Sequence, residues 1–297
     1  MTKALFNRIS IVGVGLLGGS LGMAALGRGL ATEVIGVGRT ATSLQEAERL
    51  GAVTGFTTDI AQGVSQAELV VLCTPVRHIA DILPSIVQAA PQGAIITDVG
   101  STKVSITESG DKAVAGTGRF FVGSHPMAGS EKSGVRFGRE DLFEESTCFV
   151  TRTAQTDNDA FGRVTEFWRA LGCRIVVSRP ERHDRLTAMV SHLPHMVAVA
   201  LVQAVDQFNE DRNLIKGIVG NGFRDTTRIA AGNSDMWENI CLDNCEEIGV
   251  THAALVKAFD KLLGACDADS AGAESLREIF DNAREFREFL ETRKDAN

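Results

Sequence analysis

The chain has 297 residues, of which 44% are hydrophobic and 23% charged, and its formal net charge is -8. This length accommodates two domains of an ordinary globular protein, and the acidic balance without clustered basic charge argues against a nucleic-acid partner. No uninterrupted apolar run reaches the ~18 residues of a membrane span, so we expect no membrane partner. Because no signal peptide precedes the first strand-like run and the six cysteines are scattered, we expect a cytoplasmic protein without disulfides.

The first half of the chain alternates short β-branched runs with segments of helical periodicity. Strands are predicted at residues 9–12, 34–37, 69–73, 94–97, 120–122, 148–151 and 174–177. Helices are predicted between them at residues 17–29, 43–50, 79–89 and 159–171. Such alternation is typical of a parallel sheet that is covered by helices on both faces. We therefore predict an α/β fold in which residues 1–179 form an N-terminal Rossmann-type, doubly wound sheet.

A glycine-rich loop, spelled GVGLLG, follows the first predicted strand and opens the first predicted helix. In that context the G-x-G-x-x-G pattern predicts a dinucleotide site. Gly13 permits a tight turn, Gly15 lets the backbone approach a pyrophosphate, and Gly18 lets the helix lie close to the strand. The free N–H groups at the helix start, including those of Leu16 and Leu17, would face the phosphates.

The end of the second predicted strand bears on which dinucleotide binds. NAD-binding folds usually place an Asp or Glu there, about 20 residues beyond the loop, for the ribose hydroxyls. Twenty residues beyond Gly18 the chain reaches Gly38, and none of the next five residues, 39–43, is an Asp or Glu. Arg39 stands instead among hydroxyl groups, including those of Thr40 and Ser43, and this chemistry suits a 2′-phosphate. We therefore favour NADP as cofactor, with NAD as the alternative if Arg39 only stacks on the adenine.

Two polar segments follow successive predicted strands, at residues 97–103 and 124–131. The carboxyl ends of parallel strands share one edge of a sheet, and ligands bind at that edge in open α/β folds. His125, held extended by Pro126, can exchange a proton there near a nicotinamide. We therefore interpret His125 as a functional rather than a structural histidine.

After residue 178 the strand patterns stop. Residues 181–208 repeat apolar side chains at helical spacing, with a kink or break expected at Pro194. Further helices are predicted at 246–263 and 273–292. Residues 180–297 are therefore predicted to form an all-α domain for substrate binding and dimerisation, because so apolar a small helical unit needs a twin subunit to complete it.

A third polar segment, at residues 222–228, lies between these apolar helical patterns. Arg228 could clamp a carboxylate with Asp225 orienting it, or the two could form an ordinary surface pair. His192 and His195 share one side of the predicted long helix. Their spacing does not distinguish a ligand site from a metal pair or a packed interface.

Two absences narrow the class of enzyme. The chain contains no tyrosine, which excludes the short-chain dehydrogenases that use a Tyr as acid and base. It also lacks a cluster of zinc-ligand residues, which disfavours the zinc alcohol dehydrogenases and predicts no metal site.

The chain resembles the prephenate/arogenate (cyclohexadienyl) dehydrogenase family of tyrosine biosynthesis. The resemblance lies in GVGLLGGSL at 13–21, Cys73-Thr74-Pro75, DVGSTK at 98–103, GSHPMAGSE at 123–131, SHLPH at 191–195 and GFRDTTR at 222–228. It implies a Rossmann domain followed by a helical domain that dimerises. It also implies the oxidative decarboxylation of a small cyclohexadienyl substrate, with hydride transfer to NAD(P).

The resemblance also implies residue roles. His125 would take the proton of the ring C4 hydroxyl, and Ser101 would contact that hydroxyl or the nicotinamide. Arg228 would bind a substrate carboxylate, and His195 would position the substrate side chain. The remaining implied contacts are Ser130, Glu131, Asp225 and Trp237 for substrate, with Trp237 lining the partner subunit's pocket in relatives, and Cys73, Thr74 and Pro75 for cofactor.

His195 favours prephenate as substrate, giving 4-hydroxyphenylpyruvate, because arogenate-specific relatives often carry an apolar residue there. Arogenate, giving tyrosine directly, is the alternative. A β-hydroxyacid dehydrogenase or imine reductase is a further alternative with a similar domain plan, but no Lys lies on the long helix between 181 and 208. A nicotinamide-sensing regulatory subunit without catalysis would not need Ser101, His125 and Arg228 together.

Overall fold

The computed structural model describes residues 4–130, 132–266 and 270–292. The chain divides into two compact units, Met1–Cys245 and Glu246–Asn297. The first unit contains all the strands of the described residues and the helices that follow them as far as Cys245. The domain boundary predicted at 179/180 stays a prediction, although it coincides with the change from strands to helices.

Six parallel strands form the main sheet of the first unit. In chain order they are β1 (Phe6–Val12), β2 (Ala31–Val37), β3 (Gly55–Thr57), β4 (Leu69–Leu72), β5 (Ile95–Asp98) and β6 (Phe120–Val122). Their spatial order is β3-β2-β1-β4-β5-β6, the doubly wound Rossmann order, whose switch point lies between β1 and β4. The predicted fold class is thereby confirmed, and β3 is the one strand of this sheet that the sequence patterns missed.

Helices cover both faces of this sheet. They are α1 (Leu16–Gly27), α2 (Ala41–Arg49), α3 (Ile60–Val64), α4 (Val76–Ala89) and α5 (Val104–Val114). Successive residues of β4 point to opposite faces, so Leu69 and Val71 join one buried apolar cluster while Val70 and Leu72 join the other. This two-sided burial explains why β4 is continuously apolar.

A second, three-stranded sheet adjoins the first. It contains β7 (Ser124–Pro126), β8 (Thr147–Thr151) and β9 (Arg174–Ser178), and α6 (Asn158–Ala170) connects β8 to β9. The strands predicted at 148–151 and 174–177 therefore exist but do not extend the parallel sheet. The segment that begins at Ser124 is itself a strand, antiparallel to β8, rather than a loop beyond a strand end.

The predicted long helix is one continuous run with a defect near its middle. It comprises α7 (Pro180–Thr187), a π-helical turn (Ala188–His192) and α8 (Leu193–Gln207). Pro194 lies in the first turn of α8, where its missing N–H is tolerated, and the wider π turn precedes it. By length and composition alone, Pro180–Gln207 could cross a membrane.

Three shorter helices complete the first unit, and two long ones form the second. The three shorter helices are α9 (Arg212–Ile218), α10 (Asn221–Thr227) and α11 (Ser234–Asp243). The two long helices are α12 (Cys245–Cys266) and α13 (Ser270–Glu291), and α12 starts at the unit boundary. The helices predicted at 246–263 and 273–292 are thereby confirmed. Both long helices expose large apolar side chains, among them Phe259, Leu263, Phe280, Phe286 and Phe289.

Gly22→Ala is expected to destabilise the protein, because the added Cβ would lie 1.9 Å from the carbonyl oxygen of Ala52. Overpacking of this kind costs about 1–3 kcal/mol. Gly162→Ala in α6 is the matched control: a Cβ there meets no atom within 4 Å, and Ala is the better helix former by about 1 kcal/mol. Urea unfolding measures both effects, and a Gly22→Ala variant as stable as wild type would contradict the close packing of α1.

Candidate active site

The glycine loop lies between β1 and α1, as predicted, and backbone contacts explain two of its glycines. Gly13 has φ +99°, and a Cβ there would lie 2.7 Å from the carbonyl oxygen of Cys73. A Cβ at Gly18 would lie 2.2 Å from the carbonyl oxygen of Gly13. Neither position can hold a side chain. A Cβ at Gly15 meets nothing within 4 Å, so open space lies in front of the loop where a ligand's phosphates could approach.

The start of α1 has the chemistry to hold an anion. Gly15 is its N-cap residue and has no side chain to cap it, so the first-turn N–H groups, including those of Leu16 and Leu17, lack intrahelical acceptors. Thr74, next to Cys73, has a buried hydroxyl with no hydrogen-bond partner among the described residues. An uncapped helix N-terminus, open space and an orphaned hydroxyl together fit the pyrophosphate end of a dinucleotide.

The end of β2 leads directly into the first turn of α2. Thr40 is the N-cap residue of α2, and Arg39, Thr40 and Ser43 are all exposed. Arg39 forms no ion pair within the described part of the chain. The guanidinium is therefore free, beside a helix N-terminus, at the edge of the sheet where β1 and β2 end.

A fully buried ion pair lies at the end of β5, where the Nζ of Lys103 contacts a carboxylate oxygen of Asp98. The same carboxylate accepts hydrogen bonds from the backbone N–H groups of Gly100 (2.8 Å) and Ser124 (3.0 Å). Burial raises the pKa of Asp98, and the Lys103 charge opposes that shift. Asp98 thus ties the end of β5 to the start of β7.

His125 lies on β7 and is buried, with 8% of its surface exposed. Its Nδ1 is 2.8 Å from Nε2 of His183, whereas its Nε2 has no hydrogen-bond partner among the described residues. Burial above all, and then the neighbouring His183 and Lys103, hold the pKa of His125 well below its usual range. The ring is therefore neutral near pH 7 and can accept a proton at Nε2.

His183 and Asp184, at the start of the long helix, were not predicted as site residues. Nδ1 of His183 is 2.7 Å from Oδ1 of Asp184. That carboxylate also accepts hydrogen bonds from the backbone N–H groups of Lys103 (2.7 Å) and Val104 (2.9 Å). Burial lowers the pKa of His183 to about 2. In the sequence an adjacent His-Asp pair on an amphipathic helix looks like an ordinary solvated face, so no local pattern identifies these two residues.

The DVGSTK segment contributes two further hydroxyls just beyond the end of β5. Ser101 is half-buried and makes no hydrogen bond within the described residues, and the buried hydroxyl of Thr102 likewise has no partner there. β5, which this segment follows, contacts β7, which carries His125. The predicted Ser101 and His125 therefore come from neighbouring elements.

The two histidines of the SHLPH segment have different surroundings. His192 lies 3.0 Å, through Nδ1, from the amide nitrogen of Asn244. His195 stacks on Trp237, with ring centroids 3.5 Å apart and planes inclined by 10°. The Nδ1 of His195 is buried without a hydrogen-bond partner among the described residues. Gly232 packs directly against this stack, and a Cβ at that position would lie 2.6 Å from Nε1 of Trp237.

This stack is formed within one chain. The expectation that Trp237 also lines a partner subunit's pocket stays a prediction. Both rings lie against Trp237, His195 stacked on it and His192 edge-on with ring centroids 6.2 Å apart. Of the alternatives left open by their spacing, the geometry favours packing, and a ligand site at His195 stays a prediction.

Three of the remaining predicted contacts, Ser130, Asp225 and Arg228, lie at the surface. Arg228 begins the 3-10 turn Arg228–Ala231, and both it and Asp225 are exposed. No ion pair joins them in the described chain, so Asp225 does not orient Arg228 as anticipated and the guanidinium is free. Ser130 is exposed and accepts a hydrogen bond from the backbone N–H of Lys132 (3.1 Å). Glu131 lies outside the described residues.

Comparisons with known proteins show the same two-domain organisation. Residues 22–177 match the model of the nucleotide-binding domain of prephenate dehydrogenase, and residues 179–282 match that of its dimerization domain. The prephenate dehydrogenase of Bacillus subtilis (strain 168) is 32% identical over 97% of this chain and 77% of its own length.

Solved structures show the same similarity. One is a crystal structure of prephenate dehydrogenase from A. aeolicus in complex with hydroxyphenyl propionate and NAD+. Its sequence is 30% identical to that of the present chain, the alignment covers 96% of the present chain and 98% of the A. aeolicus chain, and the TM-score is 0.89. A crystal structure of Synechocystis arogenate dehydrogenase is 28% identical, covers 95% and 99% of the two chains, and has a TM-score of 0.82.

NMR titration of the histidine rings is expected to place the pKa of His125 well below 6.5. Lys103→Met should raise that pKa, because it removes a nearby positive charge that disfavours the protonated ring. Lys112→Met, which removes an exposed charge on α5, is the control and should leave it unchanged. A wild-type pKa at or above 6.5, or no rise in Lys103→Met, would contradict the electrostatic account of His125.

Proposed function

Because the chain belongs to the prephenate dehydrogenase family, we propose that it converts prephenate to 4-hydroxyphenylpyruvate in L-tyrosine biosynthesis. The reaction is an oxidative decarboxylation in which a nicotinamide cofactor accepts hydride from ring carbon C4. The observation that carries the proposal is His125, a buried neutral imidazole with Nδ1 engaged by His183 and Nε2 free.

His125 supplies the proton chemistry. Its Nε2 accepts the proton of the C4 hydroxyl as that carbon is oxidised to the ketone level. Loss of the ring carboxylate as CO2 then restores aromaticity and places negative charge on the same oxygen. That oxygen recovers the proton from His125, so the histidine is neutral again at the end of the cycle and no net proton is released by this step.

Three other side chains are assigned to the substrate. Ser101, whose hydroxyl is uncommitted, would hydrogen-bond the C4 hydroxyl or the nicotinamide. Arg228 would bind a substrate carboxylate through its free guanidinium. His195 would direct its unpartnered Nδ1 at the substrate side chain, with Trp237 holding the ring flat by stacking. Glu131 and Asp225 would order the pocket entrance, and Ser130 would contact the substrate.

His195 also supports prephenate over arogenate. The two substrates differ in the side chain, which is a keto acid in prephenate and an amino acid in arogenate. Burial lowers the pKa of His195, so near neutral pH the ring is uncharged and offers one donor and one acceptor. The donor suits the keto group of prephenate, and the acceptor suits the ammonium group of arogenate. Prephenate is favoured because arogenate-specific members of the family often carry an apolar residue at this position, and arogenate remains the second candidate because a relative of 28% identity is an arogenate dehydrogenase.

The cofactor site supports NADP as the favoured dinucleotide. The glycine loop, with Leu16, Leu17 and Thr74, would hold the pyrophosphate, while Cys73 and Pro75 shape the neighbouring turn. Arg39, Thr40 and Ser43 offer a free cation and two hydroxyls at the end of β2, and no carboxylate there opposes a 2′-phosphate. NAD is the alternative cofactor.

We also propose a cytoplasmic homodimer formed through the helical part of the chain, residues 180–297. The matched model for residues 179–282 is a dimerization domain. Met189 and Val190, in the π turn, are 52% and 66% exposed, and Val202 on α8 is 40% exposed. An apolar helix face left open to water in this way fits contact with a second copy.

His125→Asn is expected to lower kcat with prephenate by about 10²–10⁴-fold, because the amide cannot take the hydroxyl proton. Cofactor Kd should change little, since the glycine loop is untouched. His252→Asn, at an exposed histidine on α12, is the matched control. Rates are followed by absorbance of the reduced nicotinamide, and a His125→Asn enzyme that keeps most of its kcat would overturn the assigned role.

Arg39→Ala is expected to lower the ratio of kcat/KM with NADP to kcat/KM with NAD by about tenfold or more, since a charge-assisted hydrogen bond is worth about 1.5–3 kcal/mol. Arg49→Ala, at the exposed C-terminal end of helix α2, which Arg39 precedes, is the control and should leave the ratio unchanged. A ratio in Arg39→Ala equal to that of wild type would refute the 2′-phosphate contact.

A further inference from the structure

Three buried side chains, His125, His183 and Asp184, form a hydrogen-bonded chain that ends on the substrate side. The two links are 2.8 Å between Nδ1 of His125 and Nε2 of His183, and 2.7 Å between Nδ1 of His183 and Oδ1 of Asp184. His183 is fully buried and Asp184 is 3% exposed. Solvent therefore cannot rearrange the protons of this chain as it could at the surface.

The direction of each hydrogen bond follows from the end at Asp184. This carboxylate accepts hydrogen bonds from the backbone N–H groups of Lys103 and Val104, and its Oδ1 lies 2.7 Å from Nδ1 of His183. Burial raises the pKa of Asp184, but these backbone hydrogen bonds and the Lys103 charge oppose that shift and favour the ionised, acceptor-only carboxylate. Nδ1 of His183 must then carry a hydrogen. In a neutral ring its Nε2 carries none, so it accepts from Nδ1–H of His125, and Nε2 of His125 is left with its lone pair.

Backbone hydrogen bonds hold Asp184, whose carboxylate sets the direction of the hydrogen bonds in this chain. Lys103 is the N-cap residue of α5, but its side chain does not cap the helix. The Asp184 carboxylate, which comes from α7, caps it instead by accepting hydrogen bonds from the backbone N–H groups of Lys103 and Val104. The backbone carbonyl of Asp184 in turn accepts a hydrogen bond from the Asn244 side chain (2.9 Å). The His183 ring packs edge-on against Phe149, with centroids 4.9 Å apart.

We infer that His183 and Asp184 are positioning residues that hold His125 in the one tautomer able to accept the substrate proton. This inference rests on the proposed function for its catalytic meaning but not for the tautomer itself. A free neutral imidazole exchanges its hydrogen between the two nitrogens, and the Nε2–H form would present a donor where the reaction needs an acceptor. Because Nε2 of His183 accepts a hydrogen bond from Nδ1–H of His125, His183 and Asp184 disfavour that Nε2–H tautomer.

The test is NMR of the full-length protein with 15N-labelled histidine rings, whose nitrogen chemical shifts distinguish N–H from lone-pair nitrogen. Wild-type His125 is expected to show Nδ1–H and a bare Nε2. His183→Leu should lose this single tautomer, whereas His183→Gln should keep it, because an amide oxygen can still accept from Nδ1–H. Wild-type protein with Nε2–H on His125 would overturn the inference without recourse to any variant.

Kinetics with prephenate supply the second readout. His183→Leu is expected to lower kcat by about 10²-fold with little change in KM, and His183→Gln to recover most of that loss. His252→Leu and His252→Gln are matched controls at an exposed histidine. Equal losses in the Leu and Gln variants, or a His183→Leu enzyme with wild-type tautomer and kcat, would contradict a positioning role. Absence of turnover in the wild type would count against the proposed function alone, since the tautomer is measured without substrate.

Discussion

Lys103 joins the two parts of the first unit on which the site depends. Its ammonium pairs with Asp98 at the end of β5, and its backbone N–H donates to Asp184 on α7. Removing one partner of a buried pair leaves an uncompensated charge, at a cost of about 3–5 kcal/mol. The same residue thus anchors the strand end and fixes the carboxylate behind His183, and its charge adds to the burial that chiefly lowers the pKa of His125.

The parallel sheet explains why these groups meet where a dinucleotide would bind. All six strands end at one edge, so the glycine loop, the Thr74 turn and the DVGSTK segment are brought together by topology although they are far apart in sequence. The second sheet then brings His125 to this edge, because β7 continues directly from β6 through Gly123. His125 therefore lies within a strand that is hydrogen-bonded to β8, rather than in a segment beyond a strand end, and this pairing fixes the backbone that carries the base.

Much of this could be predicted from the sequence, and the failures have physical causes. The apolar runs of β1, β4 and β5 and the glycine spacing follow from local periodicity and backbone sterics. β3 is only three residues long, and β7 is defined by pairing with a strand more than twenty residues away, so neither leaves a local pattern. His183 and Asp184 were missed because a polar pair on an amphipathic helix resembles a solvated face; only the tertiary contact with α5 buries it. For Arg228 and Asp225 the error is the opposite one: their spacing suggested an ion pair, and the fold does not form it.

The central claim is that this chain oxidises and decarboxylates prephenate with His125 as the proton acceptor. Its most direct test is the stoichiometry of the reaction catalysed by the purified protein with prephenate and NADP. We predict equal amounts of reduced nicotinamide, CO2 and 4-hydroxyphenylpyruvate. Failure to reduce either NADP or NAD with prephenate or arogenate, or reduction without release of CO2, would contradict the account.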